Sequence, residues 1–174
     1  MDLAYPIGRF PWPASLSVEE RRQCLQELEA APARFRQAVE GLHEGQLDTP
    51  YRPGGWTVRQ VIHHVPDSHI NSYCRFRLAL TEDNPAVKGY EEARWAELFD
   101  ARTGPLEPSL RLLESLHVRW VALLSSLGEE GWKRTFQHSE HGPVRLDVNL
   151  ALYAWHSRHH AAHITRLRQR MGWK

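Results

Sequence analysis

The chain has 174 residues, 41% of them hydrophobic and 25% charged, enough for one globular domain with a substantial core. Its 22 basic and 21 acidic side chains leave a formal net charge of +1, which gives no electrostatic footprint for nucleic acid. There is no basic leader and no apolar run long enough to span a membrane, and the two cysteines, Cys24 and Cys74, form neither a zinc motif nor a disulfide framework. Both thiols are expected to be buried and free, in a reducing cytoplasm.

Residues 1–16 carry Pro6, Gly8, Pro11 and Pro13 and read as an extended arm. Tyr5, Phe10 and Trp12 predict that this arm packs along the body. Ser17 and Glu20 form a capping box, and a helix follows to about residue 42, which Pro32 is expected to kink or break. Residues 43–56 are irregular. Thr57 then caps a second helix to about Leu80, with Pro66 bending it. A linker follows, with a short helix over 91–99. The pairing of Gly104, Pro105 and Pro108 breaks the chain before a third long helix over 109–127, which Gly128 stops. Thr135-Phe136-Gln137 and Val144-Arg145-Leu146 flank a turn and suggest a hairpin. Asp147 caps the last helix and Gly172 ends it. Four long amphipathic helices predict an all-α single domain over 1–174, a four-helix bundle. The connections are too long for simple up-down hairpins throughout.

The last helix holds His156, His159, His160 and His163, four of the eleven histidines within eight positions. At 100° per residue, Tyr153, Ile164 and Leu167 fall within about 40° of His160, and His156 lies about 40° to its other side. The pair His156 and His160 therefore sits on the core-facing stripe, one turn apart. Neighbouring Arg158, Arg166, Arg168 and Arg170 read as a solvated face. One histidine on an apolar stripe is ordinarily a hydrogen-bonded core residue, and His117 is read that way. Two at i, i+4 suit a transition metal whose third ligand comes from a facing helix. The second long helix offers His63, His64 and His69. Its apolar face points more toward His69 than toward the other two, and Pro66 disturbs the phase, so periodicity leaves all three open. Neither helix carries the Glu-x-x-His of di-iron bundles, so a mononuclear site fits better.

The run Gly54-Gly55-Trp56-Thr57-Val58-Arg59-Gln60-Val61-Ile62-His63-His64-Val65-Pro66-Asp67-Ser68-His69, with Trp155-His156 and His160 later, resembles the DinB/YfiT-like superfamily. The likeness is greatest to its YfiT branch, described as metal-dependent hydrolases. It extends from Tyr5-Pro6-Ile7-Gly8 to Met171-Gly172-Trp173. The resemblance implies His64, before Val65-Pro66-Asp67, as the third ligand beside His156 and His160. It also implies one divalent metal per chain (zinc or nickel), a small-molecule substrate and a homodimer. Many relatives carry Arg-Gly-Gln after the last ligand; Ala161-Ala162-His163 stands here.

Three neutral imidazoles with an open fourth position are a catalytic arrangement, expected to give a metal-bound water as nucleophile in a hydrolase. The alternative is thiol transfer, with bacillithiol or mycothiol as cosubstrate, since some relatives carry it. A stress-related binding protein with a structural metal is the third. Asp67, one turn beyond His64, is the expected carboxylate acceptor that orients a ligand imidazole. Tyr153 and His163 are further candidates, as a donor and a proton shuttle.

Overall fold

The computed structural model describes residues 2–173. Four long helices form the body: α1 (Val18–Val39), α3 (Val58–Thr81), α6 (Leu106–Ser125) and α8 (Leu146–Met171). Shorter helices fill the connections: α2 (Glu44–Leu47), α4 (Glu92–Trp95), α5 (Phe99–Thr103) and α7 (Glu129–Lys133). Three short strands, β1 (Ala86–Val87), β2 (Thr135–His138) and β3 (Gly142–Arg145), form one sheet in that order. The expected hairpin is β2–β3, antiparallel with Phe136 opposite Val144, and β1 adds to it in parallel.

Local chemistry sets the helix starts. Ser17 and Thr57 each cap their helix through reciprocal bonds with Glu20 and Gln60. Gly172 adopts φ 66° and closes α8 in the left-handed cap that glycine favours. Pro32 and Pro66 both lie inside continuous helices. Three boundaries differ from the sequence expectation. Pro108 falls in the first turn of α6, where a missing N–H costs no intrahelical bond. The span 91–99 holds one helix and the start of another, split at Ala96–Leu98. Arg145, not Asp147, is the N-cap of α8; the Asp147 carboxylate instead holds Arg145 and the backbone N–H of Leu16.

Two apolar clusters build the core. One gathers Leu28, Phe76, Trp120, Leu146 and Leu150, roofed by Phe136 and Val144 of the sheet. The other gathers Phe35, Val61, Ile62, Leu113 and Ile164. The chain passes from the first cluster to the second along α1 and α8, and the opposite way along α3 and α6. Both α1 and α3 pack against α6 and α8. Consecutive long helices α1 and α3 thus lie across a diagonal, as do α6 and α8, and α3 and α6 run the same way. Parallel neighbours cannot be joined by a tight turn, which accounts for the long connections.

Other expectations shift with the fold. Cys74 is exposed and Cys24 half-buried, its thiol pushed up by burial. Met171, which falls within about 40° of His160 on the same helical wheel, is exposed at the helix end. Arg168 donates to the carbonyls of Ala38 and Glu40 where α1 ends, and Arg170 donates to Tyr51, so this is a capping face rather than a merely solvated one. The arm packs along α8: Tyr5 meets His159, and Phe10 meets Trp155. Among the described residues no helix is long and apolar enough to cross a membrane.

Candidate metal centre

The histidines occupy the level between the two apolar clusters. On α3, His64 and His69 fall between Ile62 of one cluster and Tyr73 of the other; on α8, His156 and His160 fall between Tyr153 and Ala161. A polar layer buried this way must satisfy its own hydrogen bonds.

The structure brings His64, His156 and His160 together. Their nearest ring nitrogens lie within 4.8 Å of one another. The Nε2 atoms of His64 and His156 are 3.3 Å apart. Nitrogens bound about 2.0–2.1 Å from a tetrahedral centre stand roughly 3.3–3.4 Å apart, so this spacing fits a shared metal ion. Burial pushes the His64 pKa down to about 4 and those of His156 and His160 well below the ordinary histidine value, each reinforced by a neighbouring imidazole. All three are neutral at pH 7, the state that ligates. The His160 Nδ1 is buried with no hydrogen-bond partner among the described residues. Trp56 walls the cluster, 4.6 Å from the His64 ring and stacked at 6.3 Å on His160.

The other histidines of α3 are committed elsewhere. His63 turns toward the start of α6, with Nδ1 2.7 Å from the Ser109 hydroxyl and Nε2 3.2 Å from the Gly104 carbonyl. His69 is fully buried, with Nδ1 2.7 Å from His117 Nε2 and Nε2 3.2 Å from His156 Nδ1. The apolar phase pointing at His69 was thus a true signal of depth. The residue backs His156 and does not face the cleft.

Asp67, Tyr153 and His163 differ in how they meet the cluster. Asp67 is half-buried and, among the described residues, its carboxylate makes no hydrogen bond to a histidine. Burial and nearby Asp100 push that carboxyl up to about 6. The hydroxyl beside His64 Nδ1 is instead that of Tyr90, at 3.4 Å, from a linker with no helical periodicity to mark it. Tyr153 donates its O–H to the Ser68 carbonyl at 3.1 Å and packs its ring on His69 and His156. His163 donates Nε2–H to the Ala4 carbonyl at 3.3 Å and stacks on Tyr51.

Two further groups have metal-ligand spacing. His159, His160 and His163 lie within 4.8 Å but come from a single helix and share His160 with the first group. His138, Glu140 and His141 sit at the β2–β3 turn, with two of the three exposed. The first group opens onto two cavities. One, of about 420 Å³, is lined by Tyr51, Arg52, Trp56, His64, Glu92 and His160 among others. The second, of about 160 Å³, includes Tyr90, Tyr153 and Glu140 in its wall. His156 and Glu92 line both. Nothing in the sequence pattern singled out Glu92, which opens a one-turn helix in the α3–α6 connection.

A buried three-histidine cluster in a four-helix bundle defines a class of candidate metal enzymes, and comparison with known proteins agrees. The model of the DinB superfamily matches residues 27–164, and the chain belongs to that superfamily. It is 55% identical over 172 residues to a Bacillus cereus (strain ATCC 10987 / NRS 248) protein named "Putative metal-dependent hydrolase", covering 99% of each chain. A protein of the same name from Bacillus anthracis (strain CDC 684 / NRRL 3495) is 54% identical, also with 99% of each covered. The fold matches that of YfiT from Bacillus subtilis with a TM-score of 0.97 at 51% identity, covering 100% of both chains; that protein is described as a probable metal-dependent hydrolase with an unusual four-helix bundle topology. The four-helix bundle protein TT2238 matches at a TM-score of 0.56 and 20% identity, over 81% of this chain and 94% of that one, a likeness of fold alone.

Proposed function

We propose that this chain is a metal-dependent hydrolase of small molecules, with His64, His156 and His160 holding one divalent ion per chain, zinc or nickel. The observation that carries the reading is the convergence of His64, His156 and His160, with ring nitrogens within 4.8 Å of one another, on the wall of a cavity. Both nitrogens of His63 and both of His69 are committed to other partners. Three ligands beside a cavity leave room for chemistry, whereas structural sites ordinarily close with four. A divalent ion bound there would act as a Lewis acid and lower the pKa of coordinated water toward neutrality.

The chain's own residues supply the rest. The Tyr90 hydroxyl lies 3.4 Å from His64 Nδ1; with an ion bound, its oxygen would accept from Nδ1–H and leave the His64 Nε2 lone pair for the metal. Glu92 reaches both cavities and is placed to take or return a proton as the scissile bond breaks. Arg52 gives the larger cavity a cationic wall suited to a carbonyl or anionic group of the substrate. Trp56 shields the ligand rings from solvent. A cytoplasmic homodimer is the assembly expected from the family likeness, and light scattering over a concentration series tests it.

The discriminating experiment is a metal-loaded activity screen. Ester and amide substrates form one arm, and a low-molecular-weight thiol with an electrophile forms the other. Metal-dependent turnover of the first arm supports hydrolysis; turnover confined to the thiol arm replaces it with S-transfer.

A further inference from the structure

We infer that His117 and His69 are positioning residues that fix the tautomer of His156, and that the carbonyl of Leu28 sets the direction of the whole chain. The inference rests on the reading of His156 as a metal ligand and extends it to two residues buried behind the site.

The argument starts at a proline. In an α-helix the carbonyl of residue i accepts from the N–H of residue i+4. The i+4 residue of Leu28 is Pro32, which has no N–H. Helix α1 nevertheless runs unbroken through it. The Leu28 carbonyl is left buried without its helical donor, a costly state. His117 Nδ1, from α6, lies 2.6 Å from that oxygen.

A carbonyl oxygen only accepts, so His117 Nδ1 carries the hydrogen. His117 is neutral at pH 7, since burial holds its pKa at about 4. Its Nε2 is therefore a bare acceptor. His69 Nδ1 lies 2.7 Å from that atom and so carries a hydrogen. His69 has 0% exposure and only imidazole nitrogens as partners, with no anion to hold a charge, which leaves its Nε2 bare. His156 Nδ1 lies 3.2 Å from His69 Nε2 and must donate to it. The remaining nitrogen, His156 Nε2, is then an unprotonated lone pair, 3.3 Å from His64 Nε2 and directed into the ligand cluster. One end of the relay is a group that cannot donate, so every later assignment follows. A free histidine has no such constraint and favours Nε2–H, the form that cannot ligate through that atom.

The packing holds the rings in line. His69 and His117 stack at 4.9 Å with 15° between planes, and Trp120 meets both edge-on. Neither ring can turn over without losing two hydrogen bonds in a site closed to water. Partners that orient ligand imidazoles typically alter metal affinity 10–100-fold when removed.

The test has two parts. Nitrogen-15 spectra of the metal-free wild-type protein at pH 7.5 read the tautomer directly. The expected result is His156 protonated at Nδ1 and bare at Nε2, with His69 and His117 in the same form; an Nε2–H form of His156 overturns the inference. Zinc affinity by chelator competition is then measured for His117→Phe and His117→Gln. The phenylalanine removes both relay bonds and is expected to weaken zinc binding 10–100-fold. Glutamine offers one donor and one acceptor at similar separation and is expected to restore most of the loss. Equal affinity in wild type and both variants contradicts a positioning role. The wild-type spectra need neither bound metal nor a folded variant, so failure of the proposed function, seen as wild-type protein that binds no zinc, is distinguishable from failure of the relay.

Discussion

His64 and His156 are separated by 92 residues, yet their Nε2 atoms come within 3.3 Å at the contact of α3 with α8. Two neutral, buried imidazoles that meet through their nitrogens have only one hydrogen-bonding choice: one donates and the other accepts. The relay through His69 makes His156 the acceptor, so without metal His64 must donate. A bound metal ion would require His64 to carry its hydrogen on Nδ1, beside Tyr90, so that both Nε2 lone pairs face the ion. Wild-type protein is therefore expected to bind about one divalent ion per chain, and alanine at His64, His156 or His160 to abolish tight binding. Metal analysis after dialysis checks this. His63→Ala is the control, expected to keep full occupancy because its ring faces Ser109 and Gly104. Metal retained by His64→Ala and lost by His63→Ala would reverse the assignment.

The acid sensitivity of the metal-free protein follows from the same burial. His117 is held near pKa 4 in the folded chain against an ordinary value of 6.5. Its unfolded form binds a proton first as pH falls. Its contribution is thus fully present above about pH 6.5, declines between about 6.5 and 4, and is gone below that. A shift of this size corresponds to about 3 kcal/mol. Urea unfolding with chelator present, from pH 7.5 to 4, is expected to show a steeper loss for wild type than for His117→Gln, which has nothing to titrate. Parallel curves for the two proteins would mean that His117 is not what responds to acid.

The parts of this fold legible from sequence were those set by short-range chemistry. The capping boxes at Ser17 and Thr57, the glycine at 172 and the spacing of His156 with His160 all act within one or two turns, and each appears where its pattern points. The prolines show where local reasoning stops. Pro32 and Pro66 each remove one helical hydrogen bond, but the packing of both flanking turns keeps the helix intact. At Pro32 the freed carbonyl gains a partner from a helix far along the chain. The diagonal placement of α1 and α3 is equally non-local, because a periodic stripe says that a helix is buried and not against which neighbour. The choice among His63, His64 and His69 fails for that reason. All three are buried, and what separates them is the identity of the partner: Ser109, His156 or His117. Tyr90 and Glu92 lie in a connection with no period at all, so only the folded chain reveals them.

Arg59 offers a test of how the cleft wall is held. Its guanidinium is buried at 4% exposure, bonded to Asp48 at 2.7 Å, to the Gly104 carbonyl at 2.9 Å and also to Glu44. It ties the first turn of α3 to α2 and to the chain entering α6. Lysine keeps the charge but cannot reproduce the fork that reaches three acceptors. Arg59→Lys is expected to destabilise the protein by about 1–3 kcal/mol, a fall in Tm of roughly 3–10 °C at this chain length. Differential scanning calorimetry reads it directly. An unchanged Tm would show that the exposed carboxylates rearrange freely around the shorter side chain.

The sharpest test of the chemistry lies at Glu92. Among the described residues it is the one carboxylate that lines both cavities beside His156; the other acid nearby, Glu140, faces the smaller cavity alone. A group that exchanges protons with substrate must reach the reacting atoms without itself being consumed as a ligand, and Glu92 lies outside the histidine cluster. Glu92→Gln preserves size and polarity while removing the exchangeable carboxylate. It is expected to lower kcat by 10²-fold or more, the usual worth of a positioned acid–base group, with metal content unchanged. The pH profile adds a second readout, because the acidic limb set by the carboxylate should vanish in the variant. Measured on whichever substrate the metal-loaded screen identifies, full activity in Glu92→Gln with an unaltered acidic limb would remove Glu92 from the mechanism. Loss of metal in that variant would instead make it a ligand or a support of one.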